Sequence, residues 1–221
     1  MGNKNNYKTI FFDWNKTLSN SLFWDNLRDP NHERHDWHKN IINFVFVENK
    51  GLINDWMVAK FDEKYITKII SERFGYSEKL ILEDLAESCM NMQLVSDEVL
   101  ELINRLRGKG IKCVIATDNM DTFMKYTKLA MKLDCYFDDF LVSFDRGVLK
   151  FDAKGDSMPF FDDYLKSNNL SYKDVLLIDD CIDKSGTYDN LGFDILQIFS
   201  SEDFISKLKT LVENVDNKNS D

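Results

Sequence analysis

The chain has 221 residues, of which 43% are hydrophobic and 30% charged, and its formal net charge is -10. This length supports one sizeable core, or a core that carries a smaller inserted domain. The negative charge, with no block rich in Lys and Arg, argues against a nucleic-acid partner. No stretch has the length of a membrane span and residues 1–8 lack an apolar leader region, so we expect no membrane partner and a cytoplasmic location. We also expect a monomer or homodimer.

Five short apolar runs predict buried strands, taken in chain order at residues 10–12, 111–116, 140–144, 175–178 and 194–199. Between the later runs, apolar residues recur at helical spacing around residues 99–106, 123–133 and 160–165. Alternating strands and helices predict an α/β fold with a doubly wound, Rossmann-like and mostly parallel sheet. Ligands of such sheets bind beyond the carboxyl ends of the strands.

The first and second strands are separated by far more than the ~12–15 residues that a structureless loop spans. This stretch is itself rich in helical apolar stripes, around residues 41–47, 65–70 and 82–92. We therefore expect an inserted α-helical cap domain at residues 19–95, with a core made of residues 1–18 and 96–221. The four cysteines (Cys89, Cys113, Cys135, Cys181) show no CxxC spacing and are expected to be free thiols.

Four polar groups of residues follow predicted strands and carry the functional hypothesis. Asp13 comes directly after the first apolar run, where a carboxylate can act as a nucleophile or a metal ligand. Thr117 ends the second run and Lys150 follows the third. After the fourth run, Asp179 and Asp180 form a carboxylate cluster whose burial is costly unless a cation is held there.

Taken in this order, the four groups resemble the motifs of the haloacid dehalogenase (HAD) superfamily, and its phosphatase-like branch with a cap after the first motif in particular. Asp13-Trp14-Asn15-Lys16-Thr17 is similar to the first motif, DxDx[TV], and the resemblance places Asp13 on the nucleophile. Asn15 stands where most of the family's phosphatases have a second Asp, which serves as general acid and base. Asn15 cannot shuttle a proton, although its backbone carbonyl can still face a metal ion.

The same resemblance assigns the other positions. It implies that Thr117, with Asp118 and Asn119 beside it, contacts the phosphoryl group of the substrate, and that the ammonium of Lys150 offsets charge on the phosphate and the nucleophile. Asp180 falls on the direct ligand of Mg²⁺, with Asp179 and Asp183 supporting it. The implied activity is hydrolysis of a small phosphorylated molecule through an aspartyl-phosphate intermediate, with Mg²⁺ as cofactor.

Several alternatives stay open from the sequence. Lys154 lies close by and competes with Lys150 for the motif lysine. Lys150 is favoured because a Gly-x-x-Lys step is the usual context in the family that the sequence resembles, although Phe151 replaces the commoner Pro after it. Asp183 can equally cap the next helix, and Asp118 and Asn119 can cap the helix near residue 121.

The histidines at positions 32, 35 and 38 suggest a metal site, but their polar setting favours a solvated segment of the cap. Because of Asn15, three functions remain: a hydrolase for good leaving groups, an enzyme with another proton donor, and a binding protein without catalysis. A dehalogenase is less favoured, since the acid pair of a metal site is retained.

Overall fold

The computed structural model describes residues 7–181 and 183–218, with Lys218 described in its backbone only. Its centre is a five-stranded, wholly parallel sheet in the order β3-β2-β1-β4-β5. The strands are β1 (Thr9–Phe12), β2 (Lys112–Thr117), β3 (Asp139–Val142), β4 (Val175–Asp179) and β5 (Asp194–Gln197). The predicted α/β class and parallel sheet are confirmed.

Helices connect the strands and fill the long stretch after β1. The α-helices of the described residues are α1 (His35–Ile42), α2 (Lys50–Met57), α3 (Glu63–Phe74), α4 (Glu78–Met90), α5 (Glu98–Gly108), α6 (Lys128–Ala130), α7 (Ser143–Arg146), α8 (Pro159–Ser167), α9 (Thr187–Leu191) and α10 (Ser201–Lys218). Two further segments have π-helical hydrogen bonding. Asn43–Glu48 joins α1 to α2, and Phe123–Thr127 precedes α6.

Successive side chains of a strand point to opposite sides of the sheet, and both faces of this sheet are buried. Ile10 and Phe12 of β1 pack with α5, α10 and the inserted helices, whereas Phe11 packs with α8 and α9 on the other face. Helices on both faces confirm the doubly wound architecture. The burial also explains why the strands read as continuous apolar runs rather than as alternating patterns.

Three elements end earlier than the sequence pattern predicts, and one of them is β5, which ends at Gln197 rather than at residue 199. The predicted strand 140–144 stops at Val142, and Ser143 and Phe144 begin the short helix α7. The predicted helix over 123–133 is divided between the π-helical segment, α6 and a tight turn at Leu133–Cys135. Lys132, which has a positive φ of 52°, separates the last two, so a single helical period does not persist through this stretch.

Helices α1–α4 lie in the stretch predicted to form a cap. Its two ends meet, because Leu18 O accepts a hydrogen bond from Val95 N at 2.9 Å and Ser19 pairs with Leu94 in an antiparallel bridge. The apolar side chains of these helices form one continuous cluster with a face of the sheet. The division into a core and a separate cap domain at residues 18/19 and 95/96 therefore stays a prediction.

A polar cluster ties the inserted helices to the sheet. Asp121, which lies after β2, accepts a hydrogen bond from Trp56 Nε1 at 2.9 Å and another from Glu63 N at 3.2 Å. Lys125 contacts the carboxylates of both Asp121 and Glu63. Burial and, to a smaller extent, the hydrogen bond with Asp121 raise the pKa of Glu63 above its ordinary value.

Over residues 7–181 and 183–218, no helix is both long enough and apolar enough to cross a membrane.

Candidate active site

Strand β1 delivers Asp13 to the carboxyl edge of the sheet. Asp13 N donates to Ile178 O at 2.9 Å, which extends the pairing with β4 one residue beyond the strand. The chain then turns sharply, since Ser19 N donates to Trp14 O at 2.8 Å and Lys16 has a positive φ of 59°. A lysine rarely adopts this left-handed conformation, and strained backbone of this kind concentrates at functional sites. The Asp13 carboxylate is thereby fixed at the sheet edge.

Lys150 lies between two buried carboxylates. Its Nζ atom is 2.5 Å from Asp13 Oδ1 and 2.6 Å from Asp179 Oδ2, and the lysine side chain is only 3% exposed. The main chain of Lys150 is held as well, because Lys150 N donates to Asp118 Oδ1 at 2.8 Å and Tyr188 Oη donates to Lys150 O at 2.7 Å. Of the two lysines considered from the sequence, Lys150 is thus brought to Asp13, whereas Lys154 is exposed.

The charges of this cluster do not balance within the described residues. Burial raises the pKa of Asp13 to about 7, although Lys150 opposes that rise. Burial also raises the pKa of Asp118. Burial alone would lower the pKa of Lys150, but the three carboxylates of Asp13, Asp179 and Asp118 hold it well above its ordinary value. One ammonium facing three carboxylates leaves room for a further cation.

Thr117 ends β2 beside this cluster and is fully buried. Its hydroxyl has no hydrogen-bond partner within the described part of the chain. Most buried hydroxyls are paired, so the hydroxyl of Thr117 is available to donate to a ligand at this edge of the sheet. Thr17, whose hydroxyl is likewise buried without a partner among the described residues, follows Asp13 by four positions.

Asn119 takes part in local structure. Asn119 N donates to Ser143 Oγ at 2.9 Å, and Asn119 Oδ1 accepts from Met120 N at 2.9 Å. Its amide oxygen therefore shapes the turn after β2, while Asp118 anchors the loop of Lys150, and neither contact is a helix cap. The contact of either residue with a substrate stays a prediction.

The remaining acidic residues lie at the end of strand β4 and after it, in three different environments. Asp179 is fully buried and accepts from Cys181 N at 2.8 Å in addition to Lys150. Asp180 is 25% exposed in its side chain, and Lys16 Nζ approaches it at 3.9 Å. Asp183 accepts from Ser185 N at 2.8 Å and from Tyr188 N at 2.7 Å, so both of its oxygens are used to begin α9. The expected metal role of Asp183 has no direct support here.

The available donors match the chemistry of a small divalent cation. Asp13 uses one oxygen for Lys150, and the described contacts leave its second oxygen open. Among the described residues, the contacts of Asp180 are a long one of 3.7 Å from its neighbour Cys181 and one of 3.9 Å from Lys16. Asp13 and Asp180 follow the neighbouring strands β1 and β4. Carboxylate oxygens are ligands that Mg²⁺ prefers, and the local excess of negative charge fits a cation. The metal roles predicted for Asn15 and Asp179 are untested by these contacts.

The three histidines lie away from this edge. All three are half-buried rather than solvated. His35 Nδ1, in α1, lies 2.9 Å from Leu27 O, and His32 Nε2, in the loop before α1, lies 3.7 Å from Asp84 Oδ1 of α4. Arg34 holds the buried Asp84 through two hydrogen bonds of 2.7 and 2.8 Å. The guanidinium of Arg34 therefore neutralises the carboxylate of Asp84, and the cluster that these two residues form with His32 is explained as an ion pair.

Sequence reasoning missed Tyr188, whose hydroxyl holds the Lys150 loop. Tyr188 is buried and packs on Phe151 at 5.2 Å between ring centroids. The aromatic at the position after Lys150, which looked like a departure from the usual Pro, is the one signal that points to this contact. The position of α9 that brings the tyrosine there is not visible in the sequence.

Comparison with protein families supplies the identification. A family model described as haloacid dehalogenase-like hydrolase matches residues 10–178. The chain belongs to this family. A comparison with curated proteins gave no match.

Solved structures of HAD proteins share the fold at low identity. A HAD family enzyme of Bacteroides thetaiotaomicron, in complex with magnesium and inorganic phosphate, is 17% identical with a TM-score of 0.63, over 88% of this chain and 95% of that one. A predicted HAD-like hydrolase of Porphyromonas gingivalis is 15% identical with a TM-score of 0.63, over 94% and 98%. L-2-haloacid dehalogenase of Xanthobacter autotrophicus is 13% identical with a TM-score of 0.61, over 94% and 86%. At these identities the likeness concerns the fold.

Proposed function

We propose that this HAD-like hydrolase acts on a small phosphorylated molecule with Mg²⁺ as cofactor and Asp13 as nucleophile. The observation that carries the proposal is the contact of Lys150 Nζ with Asp13 at 2.5 Å and with Asp179 at 2.6 Å, at the carboxyl edge of a parallel sheet. The lysine orients a buried carboxylate whose attack on phosphorus requires the ionised form.

The residues divide the reaction between them. An oxygen of Asp13 forms a bond to phosphorus while the bond to the leaving oxygen breaks, which gives an aspartyl phosphate. Thr117 donates its unpaired hydroxyl to a phosphoryl oxygen, and Lys150 offsets charge on the phosphoryl group. Water then attacks the phosphorus of the intermediate, which releases phosphate and restores Asp13.

Asp13, Asp180 and the backbone carbonyl of Asn15 are the groups that would hold Mg²⁺, with Asp179 fixed beside them by Lys150. The ion, when bound, supplies positive charge that offsets the negative charge of the phosphoryl group. The Bacteroides relative was crystallised with magnesium and inorganic phosphate, and this supports the choice of metal and ligand.

Asn15 favours substrates whose leaving group departs without a proton. A carboxylic acid at this position would contribute about 10²–10⁴-fold through general acid-base catalysis. An amide can neither donate that proton to the leaving oxygen nor take one from water. We therefore expect slow turnover of alkyl phosphates and faster turnover of aryl and acyl phosphates.

Release of inorganic phosphate from p-nitrophenyl phosphate and acetyl phosphate, with Mg²⁺ present, tests the proposal. Wild type should release phosphate from both, Asp13→Asn should be inactive, and Asn15→Asp should be faster. If wild type and Asn15→Asp both fold and bind inorganic phosphate but release none from either substrate, the protein is a binding module. Chloride release from 2-chloropropionate without Mg²⁺ would instead identify a dehalogenase.

A further inference from the structure

A cavity of about 410 Å³ lies between the inserted helices and the carboxyl edge of the sheet. Most of its wall is apolar and comes from both sides, with Phe46, Ile53 and Met57 from the inserted segment and Trp14 and Met120 from the sheet edge. Three methionines contribute in all, and their flexible side chains adapt to the shape of a ligand. The volume falls within the range of small-molecule binding sites, ~300–1,000 Å³.

One end of this cavity adjoins the proposed reaction centre. Asn15, Asp118 and Asn119 line that end. Asn15 follows the nucleophile Asp13 by two positions, and Asp118 accepts the hydrogen bond from Lys150 N. A molecule whose phosphoryl group rests on Asp13 would therefore extend its leaving group into the cavity.

The charges around the cavity restrict what that group can be. None of the described residues that line it is a lysine, arginine or histidine, and the ionisable side chain among them is that of Asp118. A second phosphate or a carboxylate on the substrate would lose its water there without gaining a cationic partner, which is costly. Sugar bisphosphates and phosphorylated acids are disfavoured on this ground, whereas an uncharged apolar body is favoured.

We propose that this cavity binds the leaving group of the substrate and that the substrate is a phosphate monoester of an uncharged aryl alcohol, an inference that rests on the function proposed above. An apolar cavity of ~150 Å³ holds one benzene ring, so this larger space accepts a bicyclic aromatic group. The absence of a proton donor at Asn15 points the same way independently, because a phenol, with a pKa of about 10, departs as an anion more readily than an alkyl alcohol.

Binding of non-hydrolysable phosphonates tests the cavity without requiring turnover. With Mg²⁺ present, 1-naphthylphosphonate should bind at least about tenfold more tightly than methylphosphonate in calorimetric titrations, because it buries two apolar rings. Phe46→Ala should remove most of this difference. Phe44→Ala is the matched control, because Phe44 lies in the same helical segment and is also half-buried, but packs on Phe74 away from the cavity.

Equal affinities for the two phosphonates, or equal effects of the two Phe variants, would overturn the assignment of the cavity. If Phe46→Ala does not give the native circular dichroism spectrum, Ile53→Asn, with Leu52→Asn as its control on α2, repeats the comparison. Hydrolysis of acetyl phosphate, which has no ring to bind, reports on Asp13 separately. If the wild type binds the phosphonates selectively but does not hydrolyse acetyl phosphate, the proposed function is refuted. If it hydrolyses acetyl phosphate but binds both phosphonates equally, only the substrate class is refuted.

Discussion

Replacing Lys150 with methionine perturbs the centre of the site most directly. Methionine retains the length of the side chain but removes the ammonium that contacts Asp13 and Asp179, both of which are buried. Removing one partner of a buried ion pair costs about 3–5 kcal/mol, because a charge is left uncompensated. At pH 8 and with EDTA present, Lys150→Met should therefore unfold at a urea concentration lower by about 1.5–2.5 M, for a denaturant slope of ~2 kcal/mol/M.

The pH dependence of this loss has a definite sign. The pKa of Asp13 is about 7 in the native state, above its ordinary value of 3.8, so the native wild type loses stability as pH rises between these two values. Lys150 lowers that pKa, so in the variant it lies higher still and the loss continues above pH 7. The deficit relative to wild type should therefore grow above pH 7, by up to ~1.4 kcal/mol per pH unit from Asp13.

Urea unfolding followed by tryptophan fluorescence between pH 5.5 and 9 measures both effects. Lys154→Met is the matched control, because this exposed lysine lies four residues further along the same loop and should change the midpoint little. The reasoning is refuted if Lys150→Met is as stable as Lys154→Met at pH 8, or if its deficit does not change with pH.

Three further outcomes are expected. Thr117→Val should leave the urea midpoint unchanged or raise it, because the buried hydroxyl has no partner among the described residues, but should weaken phosphate binding about tenfold in calorimetry. Lys125→Met should lower stability at pH 8 by about 1–2 kcal/mol in the same urea assay, less than for a fully buried pair because the lysine is 43% exposed. In native protein at pH 8, a thiol reagent should spare Cys113 and Cys89, since burial raises the pKa of each to about 12, and should reach both only in urea.

The strands of the sheet and the polar residues at its carboxyl edge could be predicted from the sequence for one physical reason. Strands buried on both faces are continuous apolar runs, so their ends are visible, and a polar residue that follows such a run must lie at the carboxyl edge. Asp13, Thr117 and Asp179 were placed correctly at the edge on this basis. Where a run continued into a helix, as at Ser143, the boundary was wrong because burial alone does not distinguish the two structures.

Other features depend on contacts between distant segments and could not be predicted. The hydrogen bond from Tyr188 to Lys150 requires the position of α9. The cavity requires the packing of the inserted helices over the sheet edge, which no local pattern encodes. Asp183 had two interpretations of equal weight, and the geometry of the following turn, with donors at Ser185 and Tyr188, is what favours its capping role.

The most direct test of the site is a calorimetric titration of inorganic phosphate into the wild-type protein and into Asp180→Asn, each with and without Mg²⁺. If Asp13 and Asp180 share a cation beside a phosphoryl site, phosphate should bind to wild type only when Mg²⁺ is present, and Asp180→Asn should lose this dependence together with most of the affinity. Phosphate binding that is equal with and without Mg²⁺, or that is unaffected by Asp180→Asn, would contradict the account.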